Sequence, residues 1–445
     1  MFVDRETEKA ELARILGSKK FEFAVLYGRR RIGKTRLVLE VLKKHDHVYY
    51  LAVEKNNLPN FISTVAKKLP GILELRDDWE VVLDFLKDKT GALVIDEFQN
   101  LIKEDKATLA LFQRAIDTNL KDSRLKLFIL GSSVSMISSE VLEYQSPLYG
   151  RKTSSKKIQP IGFFDIAGFF PKSDLEERAT IYGFADGIPY YLERIKGEFW
   201  DWLEHELAHP TFIKDELDFI LKYEFEDLGT YKTILEAIAY GKTTVGEIKN
   251  YCRMQRTDIS PYLSKLINTE FIYREVPITE SAISKMGRYY IKDQFIAFWF
   301  KYIYPNLSAI EEGIYHAPDI KDAYPAYMGF AFEKICMQFM IRRIKNGAWS
   351  YTKTGKWWYQ DNEIDLVAID EKKAEVLFAE CKWQDNVDAK AVLGKLKEKT
   401  LLVRWRNDKR TEKYAVFAKS FKDKRRLGDD VFLFDLNDLE TMARH

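Results

Sequence analysis

Two groups of residues have the types and spacing that chemistry requires. The first is GRRRIGKT, residues 28–35. Glycines at both ends of such a loop let backbone N–H groups curl around phosphate oxygens at the start of a helix. Gly28, Arg29, Arg30, Arg31, Ile32 and Gly33 form the cradle. Lys34 is placed to reach the β- and γ-phosphates of ATP, and Thr35 to put its hydroxyl on Mg²⁺. The second group is Asp365 followed by Glu380-Cys381-Lys382. Side chains alternate along a strand, so Phe378, Glu380 and Lys382 share one face, and Ala379, Cys381 and Trp383 the other. A carboxylate and an ammonium two residues apart in an apolar strand are costly to bury without a partner, a metal or a function.

The elements around the first group suit its task. FEFAVLYG (21–28) reads as a buried strand running into the loop, and RLVLEVLKK as the helix leaving it. GALVIDEFQN (91–100) is an apolar strand ending in two carboxylates. Asp96 is expected to hold Mg²⁺ through water, and Glu97 to orient and deprotonate the attacking water. LKLFILGSS (125–133) is a third strand, whose Ser132 either senses the γ-phosphate or belongs to a simple turn. Arg151, in SPLYGRK, is a candidate transition-state arginine or a solvated loop residue. GKTT at 241–244 does not follow an apolar strand, and His45 with His47 is not read as a metal site.

The elements around the second group form a hairpin. WWYQDNEIDLVAID (357–370) carries Asp365, DEKKA reads as a turn, and EVLFAECKW is the returning strand. Asp365 and Glu380 then sit on adjacent antiparallel strands, where opposed residues approach closely. Two such carboxylates repel unless a cation lies between them. Mg²⁺ is the expected cation, because the ligands are hard oxygens. Lys382 is placed to hold a water or to stabilise charge developing on a phosphate. The blander reading pairs Glu380 with Lys382 at a strand edge. Trp357, Trp358 and Trp383 are either core or flank a substrate groove, Cys336 and Cys381 read as buried fillers, and the basic loop KSFKDKRRLG (419–428) as a solvated segment.

Between the two groups lie YKTILEAIAYG, TTVGEIKNYC and TDISPYLSKLINTEFI, then strand-like YREVPI and RYYIKD. Three short helices and a hairpin read as a winged helix-turn-helix. Its third helix exposes Thr257, Ser260 and Lys265, with Arg253 and Arg256 in the turn before it, and serves either DNA or a protein partner.

At 445 residues the chain is too long for one core. Its 70 basic and 68 acidic residues leave a net charge of +2, so any pull on nucleic acid must come from local patches. Three cysteines without metal-site or disulfide spacing point to a reducing cytosol, and the abundance of both charges leans toward a thermophilic source. No secretory leader is read at the start. The apolar stretch YYIKDQFIAFWFKYIY from Tyr289 is interrupted by Lys292, Asp293 and Lys301, so it reads as a buried helix and no membrane partner is expected.

FVDRETEKAEL, GRRRIGKT, LVIDEFQ, GSS, SPLYGR and DGIPYYL (186–192) together resemble the archaeal ATPase family, a STAND-type relative of AAA+ proteins. Asp4, Arg5 and Glu6 match its opening motif, and Gly187-Ile188-Pro189 matches the G-x-P of its lid, which places Pro189 near the nucleotide. Asp365 with Glu380-Cys381-Lys382 resembles the PD-(D/E)XK nuclease core, in which Glu333, on the helical stretch GFAFEKICMQFM (329–340), matches the further acidic metal ligand. GFAFEKIC, GKWWYQDNEIDLVA and FAECKW also resemble the domain usually fused to archaeal ATPases. The resemblance implies a multidomain α/β protein. A P-loop ASCE-type parallel-sheet ATPase core spans 1–157, with the sensor strand between the two Walker strands. A helical lid follows at 158–225, a winged helix at 226–292, a connecting helical segment at 293–322, and a restriction-endonuclease-like α/β domain at 323–445. ATP and Mg²⁺ are the implied cofactors, with Glu333, Asp365 and Glu380 as metal ligands of the last domain. DNA is the implied partner, with a homo-oligomer in the ATP state. The function so implied is ATP-regulated DNA processing; the alternative is a nucleotide-dependent switch whose last domain binds DNA or a partner without cleaving.

Overall fold

The computed structural model describes residues 3–210 and 212–443. The chain divides into two compact units. One is Met1–Pro160 with Ile188–Tyr190 and Asn268–Glu270; the other is Ile161–Gly187, Tyr191–Ile267 and Phe271–His445.

The first unit is built on strands β1 (Glu22–Tyr27), β2 (His47–Leu51), β3 (Ala92–Asp96), β4 (Lys126–Gly131) and β5 (Ser154–Lys157). All pair in parallel, in the order β2-β3-β4-β1-β5. The strand ending in Gly131 therefore lies between the one that enters the phosphate loop and the one that ends in Asp96, as the resemblance implies. A parallel sheet must be covered on both faces, which is why its inner strands read as nearly continuous apolar runs. Phe23, Val25, Ile95 and Ile129 pack into one core, and Ala24, Leu26, Val94 and Leu130 into the other. Each large side chain so buried contributes roughly 1.5–3 kcal/mol, so the strands hold the frame on which the loop rests.

The second unit contains helices Leu228–Ala239, Val245–Tyr251 and Ser260–Asn268, then β6 (Ile272–Glu275) and β7 (Arg288–Ile291) as an antiparallel pair. This is the element order expected for the middle of the chain. Thr244, within the GKTT run, caps the second helix through a reciprocal bond with Glu247. Arg253, Arg256, Thr257, Ser260 and Lys265 are exposed. The stretch from Tyr289 is not one helix. Tyr289 and Tyr290 belong to β7, and Tyr290 packs against Tyr273 across the ladder at 5.5 Å. The helix begins only at Gln294. Among the described residues no helix is long and apolar enough to cross a membrane.

The unit ends in β8 (Lys353–Tyr359), β9 (Asn362–Asp370), β10 (Glu375–Lys382), β11 (Thr411–Ala418) and β12 (Val431–Phe434). They form a mixed sheet in the order β12-β11-β10-β9-β8, antiparallel from β8 to β10 and parallel from β10 to β12. Helix Tyr324–Lys345 precedes it, and helix Ala389–Thr400 carries the chain from β10 to β11. Trp357, Trp358 and Trp383 are buried. The connection between β6 and β7 lies along the outer strand. Ile278 N donates to Lys356 O (2.8 Å), Trp358 Nε1 donates to Met286 O (3.1 Å), and Arg288 pairs with Glu363 (2.7 Å). An exposed strand edge invites unwanted pairing, and this connection covers it.

Candidate functional site

The loop between β1 and helix Lys34–Leu42 needs backbone that glycine adopts most easily. Gly33 has φ of +85°, and a Cβ on Gly28 would fall 2.5 Å from the Ile158 carbonyl oxygen. Arg31, also left-handed at φ 72°, places its guanidinium 3.9 Å from the centre of the Tyr190 ring. Pro189 lies 3.9 Å from where a Gly33 Cβ would stand, so the G-x-P segment does reach the loop. Arg5 Nη2 donates to Ile32 O (3.3 Å), which gives the opening motif a job: it braces the loop from outside. Arg29 and Arg30 are half-buried beside it. Lys34 Nζ donates to Gly28 O (2.8 Å) and Arg29 O (3.0 Å), and burial lowers its pKa to about 8 against the pull of Glu97 and Asp96. An ammonium parked on its own loop's carbonyls needs little rearrangement to pass to phosphate oxygens.

At the end of β3, Thr35 Oγ1 and Tyr49 OH donate to one oxygen of Asp96 (2.5 and 3.0 Å), while Glu97 N donates to the other (2.8 Å). Burial raises the pKa of Asp96. Glu97, at φ 54°, accepts from Ser132 Oγ (2.5 Å) and from the Gln99 amide, which also donates to Ser132 (3.1 Å). Lys34, Thr35, Asp96, Glu97 and Ser132 thus meet at the carboxyl ends of the strands, where open parallel sheets bind ligands. The residues fit Mg–ATP: a glycine cradle and helix start for phosphates, and the hard oxygens of Thr35 and Asp96 for magnesium. Tyr49 and Gln99 escaped the sequence reading. Gln99 was legible in LVIDEFQ as a polar residue two beyond Glu97, but nothing local marks Tyr49.

Arg151 stands apart. Thr153 N donates to Phe23 O, and Ser154 pairs with Ala24, so Arg151 lies where β1 begins, whereas the loop follows its other end. A strand of this length separates the two by roughly 20 Å. Arg151 is held there by Asp117 through two bonds of 2.8 and 2.7 Å. Within its own chain it does not face the phosphate loop, because a residue preceding a parallel strand sits at the opposite edge of the sheet.

The second site lies on β9 and β10. Cys381 N donates to Asp365 Oδ2 (2.8 Å), and Lys382 Nζ stands 2.6 Å from Glu380 and 3.7 Å from Asp365. The pairing of β8 with β9 shifts register between Gly355 and Trp357, so Asp365 and Leu366 together oppose Lys356. A bulge of this kind re-aims a side chain. Sequence reasoning missed two lysines. Lys356 Nζ holds Glu333 and lies 3.7 Å from Glu363, and Lys399 Nζ reaches Glu380 at 2.6 Å. Burial, reinforced by Asp365 and opposed by Lys356, raises the Glu333 carboxyl to about 7. Burial and the neighbouring Glu380 raise Asp365. The expected cluster of Glu333, Asp365 and Glu380 is therefore not closed. Among the described residues no three His, Cys, Asp or Glu side chains gather to hold a metal, and ammonium groups stand on Glu333 and Glu380. The donor chemistry still suits a hard divalent cation. Loop 419–428 is largely compensated as well: Lys419 pairs with Asp385 and Glu176, and Lys424 with Asp435 and Asp438.

Residues 2–195 match the family described as "ATPase domain predominantly from Archaea", and residues 299–392 the one described as "Archaea bacterial proteins of unknown function". An uncharacterized protein of Methanocaldococcus jannaschii is 50% identical over 443 residues, 98% of this chain and 100% of its own. Another from the same organism is 29% identical over 214 residues, 48% of this chain and 42% of its own. A Walker-type ATPase of Pyrococcus abyssi aligns with 67% of this chain and 96% of its own at 22% identity and a TM-score of 0.53, a likeness of fold. Half-identical along its length to the first of these relatives, this chain belongs to the same family as that Methanocaldococcus jannaschii protein and carries an ATPase domain of the archaeal type.

Proposed function

We propose that this protein binds and hydrolyses ATP in its first unit and cleaves phosphodiester bonds of DNA with its C-terminal mixed-sheet domain. The observation that carries the second half is the approach of Lys382 to both Glu380 and Asp365 on adjacent strands. In the first unit Lys34 and the loop amides take the phosphates, and Thr35 and Asp96 take magnesium. Glu97, held in orientation by Ser132 and Gln99, aligns the attacking water. In the second, Asp365, Glu380 and Glu333 would hold a divalent cation, which when bound supplies a Lewis acid and an acidified water. Lys382 offsets charge developing on the phosphate.

The test is a cleavage assay on supercoiled, linear and branched DNA with Mg²⁺ or Mn²⁺, with and without ATP. Asp365→Ala should abolish cutting and leave ATP turnover intact, while Lys34→Ala should abolish turnover and reveal whether ATP gates cutting. Cutting that survives in Asp365→Ala would sink the assignment. One observation favours a second reading: Glu333 and Glu380 are already matched by Lys356 and Lys399. That suits a nucleotide-dependent switch whose last domain binds DNA or a partner without cutting. Intact ATP turnover, ATP-dependent oligomers and no cutting on any of the three DNAs would select it.

A further inference from the structure

The second unit holds a cleft of about 180 Å³ that neither site above uses. It opens between the β6–β7 connection and β8, against Thr279, Glu280, Met286, Tyr359, Leu402 and Arg404. Tyr359 and Leu402 remain 44% and 42% exposed although they border a concavity. Arg404 is exposed and makes no ion pair or side-chain hydrogen bond to any described residue. Neighbouring arginines are all engaged: Arg288 on Glu363, Arg406 on the Glu371 carbonyl, Arg410 on Glu412. An open aromatic wall with an arginine that pairs with no described residue at its rim is thus an uncommitted combination.

Pockets for drug-sized ligands begin near ~300 Å³, so this cleft admits a single flat ring system. Its walls are mixed. Tyr359, Met286 and Leu402 offer apolar faces, Thr279 and Glu280 offer acceptor oxygens, and Arg404 offers donors. An aliphatic side chain would leave the polar groups unmatched. A nucleobase with an exocyclic amine matches both, since a carboxylate accepts from such an amine and an aromatic face stacks the ring. The position also fits. Trp358, on the cleft wall, pairs with Glu363, whose carbonyl accepts from the Lys399 that holds Glu380.

We infer that this cleft binds one unstacked, amine-bearing base of a nucleic-acid strand, with the adjoining phosphate on Arg404. The inference rests on the nucleic-acid reading above, and its test separates the two. A fluorescein-labelled oligodeoxycytidine and an abasic strand of equal length are titrated in EDTA, so that nothing is cut, into the full chain and into Tyr359→Ala and Arg404→Ala. Matching melting curves establish that the variants fold. The wild type should bind the abasic strand about tenfold more weakly. Tyr359→Ala should lose that difference, and Arg404→Ala should weaken both strands. Equal binding of the two strands by the wild type, or discrimination that persists in Tyr359→Ala, overturns the cleft and leaves the nucleic-acid reading standing. Binding of neither strand overturns both.

Discussion

The two sheets end in sites whose carboxylates accept from different kinds of donor. At the first, Asp96 and Glu97 are held by neutral donors, the hydroxyls of Thr35, Tyr49 and Ser132 and the amide of Gln99, while Lys34 rests on backbone carbonyls. At the second, Glu333 meets Lys356, Asp365 meets Lys382, and Glu380 meets both Lys382 and Lys399. Hydroxyl and amide donors orient a carboxylate without adding a counter-charge, and the nearby Lys34, which feels both carboxylates, is the ammonium this site holds ready for phosphate. Ion pairs add that counter-charge directly, so a cation entering the second site must displace an ammonium. Two equally readable motifs thus differ in what stands between them and their ligands.

The contrast is broken most directly by removing a carboxylate. Glu380 is 3% exposed with two ammonium groups on it, so Glu380→Gln should lose about 2 kcal/mol of stability, the loss of charged hydrogen bonds to two partly exposed lysines. Glu97→Gln, which weakens the bonds from Ser132 and Gln99, should lose about 1 kcal/mol. Urea unfolding followed by tryptophan emission compares them, and equal losses would show that the two sites are built alike. A smaller effect sharpens the first site: Tyr49→Phe removes one neutral donor from Asp96 and should lower kcat/KM for ATP about fivefold, a cost of about 1 kcal/mol.

The smallest effect is a proton. Lys34 titrates near 8 in the fold and at an ordinary 10.5 when unfolded. Between those values the unfolded chain holds a proton that the folded chain has released, so this lysine makes stability rise with pH across that window. Its contribution is lost as pH falls through about 8, where the buried group must charge. Phosphates favour the charged form, so ATP binding at pH 8 should be accompanied by uptake of about half a proton from buffer onto Lys34. Calorimetry in two buffers of different ionisation enthalpy measures this, and Lys34→Met should abolish it.

Part of this was legible because it is local or periodic. GRRRIGKT dictates its own turn, the apolar runs ending in Gly28, Asp96 and Gly131 dictate buried strands, and the alternation around Asp365 and Glu380 dictates a hairpin that sets them on adjacent strands. The residues that escaped the sequence reading share one cause. Tyr49, Lys356 and Lys399 act on residues 47, 23 and 19 positions away, and no periodicity reports such pairings. Arg151 reads as either a transition-state arginine or a solvated loop residue, and the sequence does not choose, because the end of a sheet that a residue occupies depends on strand order and direction. The sequence shows the β6–β7 connection only as part of a hairpin, yet it covers β8, because an unpaired strand edge finds whatever backbone is within reach.

By itself, then, the sequence determined the chemistry on offer: phosphate-cradling backbone, one lysine, and carboxylates at strand ends, all set by side-chain type and two- or four-residue spacing. The tertiary structure alone decided how those charges are balanced. Balance depends on which distant hydroxyl, amide or ammonium comes within 3 Å, and long-range packing arranges that without leaving a mark on local sequence.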